Sequence, residues 1–106
     1  MKPKNLQTVI AYRNQELRID LGKEFEGILT ASMSRNKDVV LVTRDFEIEE
    51  NRYLILKKED SQDNDMDEEI KDPVLGRWYF DVRQVLDDKD KIIYTGTIFF
   101  EGNITQ

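Results

Sequence analysis

The stretch Leu75-Gly76-Arg77-Trp78-Tyr79-Phe80-Asp81-Val82, followed by Ile92-Ile93-Tyr94-Thr95-Gly96-Thr97-Ile98-Phe99-Phe100, decides the fold class. Through both segments the side chains sort with period two, the periodicity of a strand and not of a helix. The polar run Asp87-Asp88-Lys89-Asp90 reads as the turn between them. On this spacing Trp78, Phe80 and Val82 share one face, and Tyr79, Asp81 and Arg83 share the other. In the last strand Ile92, Tyr94, Gly96, Ile98 and Phe100 alternate with Ile93, Thr95, Thr97 and Phe99. Gly96 in mid-strand is expected to mark a bulge or the close approach of another backbone.

The same periodicity recurs upstream. Val9-Ile10-Ala11-Tyr12 makes a first short strand, and Leu17, Ile19 and Leu21 alternate with Arg18 and Asp20. Leu29, Ala31 and Met33 line one face of a third. Arg35-Asn36-Lys37-Asp38 reads as a hairpin connection into Val39-Val40-Leu41-Val42-Thr43. That strand is so apolar and β-branched that it is expected to be central or buried on both sides. Phe46 and Ile48 alternate with acids, and the turn Glu50-Asn51 leads into Tyr53-Leu54-Ile55-Leu56. Seven to eight short strands at this spacing predict an all-β, Ig-like antiparallel β-sandwich, which needs about 100 residues. The 106 residues form one domain, 1–106, with an acidic insertion loop at 59–74. Only Glu68 to Leu75 could form a helical turn, and Pro73 disfavours a long one.

The net charge of −6 belongs to that loop. Between Glu59 and Asp72 there are eight acids and one base, whereas the other 92 residues carry 15 bases and 14 acids. The rest of the chain is therefore close to neutral. It shows no basic stripe for phosphates, so nucleic acid is not an expected partner. No apolar run approaches the roughly 20 residues of a membrane-spanning helix, and no membrane partner is expected. Met1-Lys2-Pro3-Lys4-Asn5 has no hydrophobic segment behind it and does not read as a secretory signal.

Catalytic residue types are scarce. Without histidine or cysteine the commonest general base, thiol nucleophiles and the usual structural zinc sites are unavailable. The five glycines are scattered singly, so no phosphate loop is present. The expectation is a non-catalytic protein without a cofactor. Asp63-Asn64-Asp65-Met66-Asp67 alternates oxygen ligands like the first half of a calcium loop. However, Glu68 and Val74 occupy the positions where an EF-hand requires glycine and glutamate. A looser site using Asp63, Asp65 and Asp67 is the weaker alternative to a solvated, self-repelling loop, or to one docking on a basic patch of a neighbouring subunit.

Trp78 and Tyr79 could form a carbohydrate-stacking platform, but Trp78 in register with Phe80 and Val82 reads as core. Tyr79, Arg83, Ile93 and Phe99 then point the other way. Such a row exposes more apolar surface than a soluble monomer usually tolerates, which makes these four residues interface candidates.

Glu24-Phe25-Glu26-Gly27-Ile28-Leu29-Thr30-Ala31-Ser32-Met33-Ser34-Arg35 resembles a "D-L-T-G, alternating small residues, basic residue" segment. That segment is found in small β-sandwich domains of tailed-phage virion proteins, of the baseplate and tail-fibre attachment type. Gly76-Arg77-Trp78-Tyr79-Phe80-Asp81-Val82 and Gly96-Thr97-Ile98-Phe99-Phe100, with Ile104-Thr105, are similar to the closing elements of those domains. The resemblance covers roughly residues 8 to 105. Phe25-Glu26 stands where the pattern has Leu-Thr, and the acidic insertion is not part of the pattern. The resemblance implies a virion component, made in the host cytoplasm, that binds neighbouring virion proteins or itself as a homo-oligomer. The alternatives are a carbohydrate- or ligand-binding β-module using Trp78, Tyr79, Tyr94 and carboxylates, and a calcium-stabilised adhesion-type domain.

Overall fold

Two tight turns with left-handed backbone set the strand boundaries. At Asp87 and Asp88 φ is 53° and 61°, and at Glu50 and Asn51 it is 55° and 48°. Paired positive φ values give a turn whose twist matches that of the flanking strands; at the first of these the two residues are the whole loop, and at the second Arg52 follows them before Tyr53 pairs with Glu49. The computed structural model describes residues 4–12, 15–37, 40–58 and 76–101. Among them nine strands run in the order β1 (Lys4–Asn5), β2 (Val9–Tyr12), β3 (Leu17–Asp20), β4 (Ile28–Lys37), β5 (Val40–Asp45), β6 (Glu47–Glu49), β7 (Tyr53–Leu56), β8 (Gly76–Leu86) and β9 (Lys89–Glu101). The closing hairpin is longer than its sequence reads: Lys89 and Asp90 pair with Leu86 and Val85, which leaves Asp87 and Asp88 as the whole turn.

The strands form two sheets around a shared core. The larger has the order β1-β9-β8-β4-β5, with β2 joining β9 on the same edge as β1. Both β1 and β2 run parallel to β9, and the other pairs of this sheet are antiparallel. The smaller sheet has the order β3-β7-β6 and is antiparallel throughout. The chain passes between the sheets at Phe46, whose N–H donates to the Ala31 carbonyl at 2.9 Å. The fold is thus all-β with two sheets, as the alternation predicts.

Trp78, Phe80 and Val82 from β8, Ile98 and Phe100 from β9, and Met33 from β4 meet Leu54 and Leu56 of the small sheet in that core. Trp78 packs edge-on against Phe100 at 6.5 Å, and Phe46 does the same against Phe80 at 6.2 Å. These perpendicular pairs add to the burial of apolar area.

Two expectations need correction. The apolar β5 is an outermost strand, not a central one: Val42 faces the core while Leu41 is 61% exposed. Gly96 marks neither a bulge nor a second backbone. It pairs with Phe80, whose ring fills the space that a Cβ would need. The bulge lies earlier, between Val82 and Arg83, where Val82 pairs with Tyr94 and Arg83 with Ile92. Close approach of another backbone occurs instead at Gly27, with φ of 79°, which packs against the Val85 carbonyl. The acidic insertion, with Asp63, Asp65 and Asp67, and the possible helical turn at Glu68–Leu75 lie outside the described residues.

Candidate functional site

The outward faces of the two sheets are built differently, and the difference locates the candidate site. On the small sheet, residues opposite to the core-facing Leu17, Ile19, Leu54 and Leu56 carry charge. Arg18 donates to Glu49 at 2.7 Å, Arg52 to Asp20 at 2.8 Å, and Lys57 pairs with Glu47 at 2.6 Å. The Arg18 and Arg52 guanidinium groups lie 4.2 and 5.2 Å from the Tyr53 ring centroid. Beneath this layer Ile55, an outward residue paired with Arg18 and Glu47, is only 7% exposed. Long charged side chains cover apolar surface with their stems while keeping their heads in water. This face is finished for solvent.

The large sheet's outward face is not. Ile10, Ile28, Leu41, Tyr79, Val85 and Phe99 are the large hydrophobic side chains exposed among the described residues. All six alternate with core-facing neighbours and so project from this one face. Ile10 pairs with Phe99 at one end of it, and Ile28 pairs with Val85 at the other. Between them Tyr79 lies beside Ser34 and Thr97, and Asp81 beside Ser32 and Thr95. Asn5, Ser34, Tyr79, Asp81, Thr95 and Thr97 border an open depression of about 430 Å³ above Gly96. The face is therefore apolar at both ends and rich in hydroxyl groups in the middle, with Arg77 and Arg83 among its charges.

Three of the four interface candidates project from this face: Tyr79 is 57% exposed, Phe99 38%, and Arg83 is exposed with Asp90 3.9 Å from its guanidinium. Ile93 departs from its expected place. The bulge interrupts the alternation of β9, so Ile93 is half-buried and packs against the core. Ile10, Ile28, Leu41 and Val85 join the face unforeseen. The signal for them was present as alternation, but it needed the register across four strands.

Trp78 is fully buried, with the Arg35 and Arg44 guanidinium groups 4.8 and 5.5 Å from its ring. It offers no stacking surface to a sugar. Tyr94 is half-buried, edge-on to Phe25 at 5.7 Å. Among the described residues no three metal-ligating side chains converge. Compared with models of protein families, with characterised proteins and with solved structures, the chain matches none.

Proposed function

We propose that this protein is a non-catalytic structural component that assembles through the outward face of its large sheet, with a second copy of itself as the immediate neighbour. One observation carries the reading: every exposed large hydrophobic side chain described lies on that face, while the opposite face is covered by ion pairs. Scattered single apolar side chains are ordinary on a monomer, but here six large ones gather on a single face, in groups at its two ends and on its β5 edge. A phage-type virion module, found in the virion after synthesis in the host cytoplasm, is the setting that the sequence resemblance suggests.

The Ig-like reading of the sandwich belongs to the same proposal. Read as A′-G-F-C-C′ against B-E-D, the strand order of the two sheets follows that of variable-type immunoglobulin domains, and the parallel pairing of β2 with the last strand fits it. Folds of this type host many functions, so the outward face carries the functional reading and the topology does not.

Sedimentation velocity over a wide concentration range tests the assembly. The expected result is a concentration-dependent shift from monomer to dimer or larger species. A single monomeric species at every concentration overturns the reading.

A further inference from the structure

A second feature lies at the edge of the sandwich, where β1 joins β9 beside the β3–β4 connection. Lys4, Lys23 and Lys91 surround a cleft of about 180 Å³ floored by Phe25, Ile92, Ile93 and Tyr94. The three lysines come from β1, from the connection and from β9, so the cluster is a product of the fold and not of one basic run. Among the described residues none of their ammonium groups has a carboxylate partner, although the chain has 22 acids to 16 bases. Lys23 instead lies 5.0 Å from the centroid of the Phe25 ring.

The floor is held from behind. Phe25 meets Tyr94 edge-on at 86°, and its N–H donates to the Asn51 carbonyl at 2.9 Å. Asn51 Nδ2 in turn donates to the Phe25 and Gly27 carbonyls at 2.9 and 2.8 Å. The cleft is thus a preformed apolar seat with a cationic rim. That combination suits a ligand with one apolar ring and one negative charge.

We propose that this cleft binds a small aromatic carboxylate. Its volume is close to the roughly 150 Å³ of an engineered apolar cavity that takes up benzene. Nucleotides and drug-sized molecules call for pockets of about 300 Å³ or more. The apolar floor gives a bare inorganic anion little to bind, and the three lysines favour a carboxylate over a neutral ring.

Titration of the full chain followed by backbone amide NMR tests this, with phenylacetate as the probe. The controls are 2-phenylethanol, which has the ring without the charge, and inorganic phosphate, which has charge without the ring. The expected result is saturable shifts confined to Lys4, Lys23, Phe25 and Lys91 to Tyr94, with weaker binding of both controls. Replacing Lys23→Gln and Lys91→Gln together is expected to weaken phenylacetate binding roughly fivefold, the scale of two exposed charge interactions. Both positions are exposed, and an unchanged melting temperature identifies a folded variant. Shifts that never saturate, equal binding of 2-phenylethanol or phosphate, or undiminished binding by the folded double variant each overturn the proposal.

Discussion

Phe80 and Gly96 face each other across β8 and β9, and the Phe80 ring lies where a side chain on Gly96 would begin. A Cβ on Gly96 would stand 2.6 Å from Phe80 Cζ. The glycine lets an aromatic ring lie down inside a filled core between Met33 and Phe46, its partners in register and in edge-on contact.

Gly96→Ala is therefore expected to destabilise the protein by about 1–3 kcal/mol, the cost of overpacking a close-packed core. Urea unfolding measures it. Combining Gly96→Ala with Phe80→Leu is expected to cost less than the sum of the two single changes, because the two sites share one space. Additive effects contradict the contact.

The Asp87-Asp88 turn holds two non-glycine residues in left-handed backbone, where only glycine is free of a steric penalty. Asp88→Gly is expected to stabilise by about 0.5–1 kcal/mol, seen as a raised melting temperature. A lowered one contradicts the turn geometry.

Asn51 closes the β3–β4 connection with its side chain and also occupies a left-handed position, φ 48°. Asn51→Gly keeps the backbone at ease and removes only the side-chain bonds. It is expected to cost about 1–3 kcal/mol for two lost hydrogen bonds, one of them partly buried. A stability equal to that of the unaltered protein shows that the clasp contributes nothing.

Much of the fold was legible because alternation is local. Trp78, Phe80 and Val82 declare their common face within five residues, as do Leu29, Ala31 and Met33. What failed was non-local. The apolarity of β5 reads as burial on both sides, yet Leu41 belongs to the exposed face, and composition alone does not separate an edge from a centre. The bulge at Ile93, the β9 residue left over between the pairs Val82–Tyr94 and Arg83–Ile92, turns that side chain inward, and nothing in β9 itself shows where it loses step with β8. Asn51 reads as an ordinary turn residue because its partners lie 24 and 26 residues away. The candidate face was half visible in Tyr79, Arg83 and Phe99; Ile10, Ile28, Leu41 and Val85 joined it only through strand order.

Asp20 gives the fold a pH dependence. Its hydrogen bond from Arg52, and then that from the Gly22 N–H, hold its carboxyl below the ordinary 3.8. A carboxyl depressed on folding contributes stability above its unfolded value, and that contribution is lost as pH falls through the folded value. Asp20→Asn is thus expected to lower the urea midpoint at neutral pH. The gap from the parent protein should close as pH falls below 3.8. A gap that persists at low pH contradicts the pairing.

Sedimentation velocity on three proteins tests the assembly most directly: the parent chain, Tyr79→Lys with Phe99→Lys on the large sheet's outward face, and Arg18→Ser on the opposite face. The parent and Arg18→Ser are predicted to associate as concentration rises, whereas the double variant stays monomeric with its melting temperature close to the parent's. A parent that remains monomeric throughout, or a folded double variant that associates as the parent does, contradicts the account.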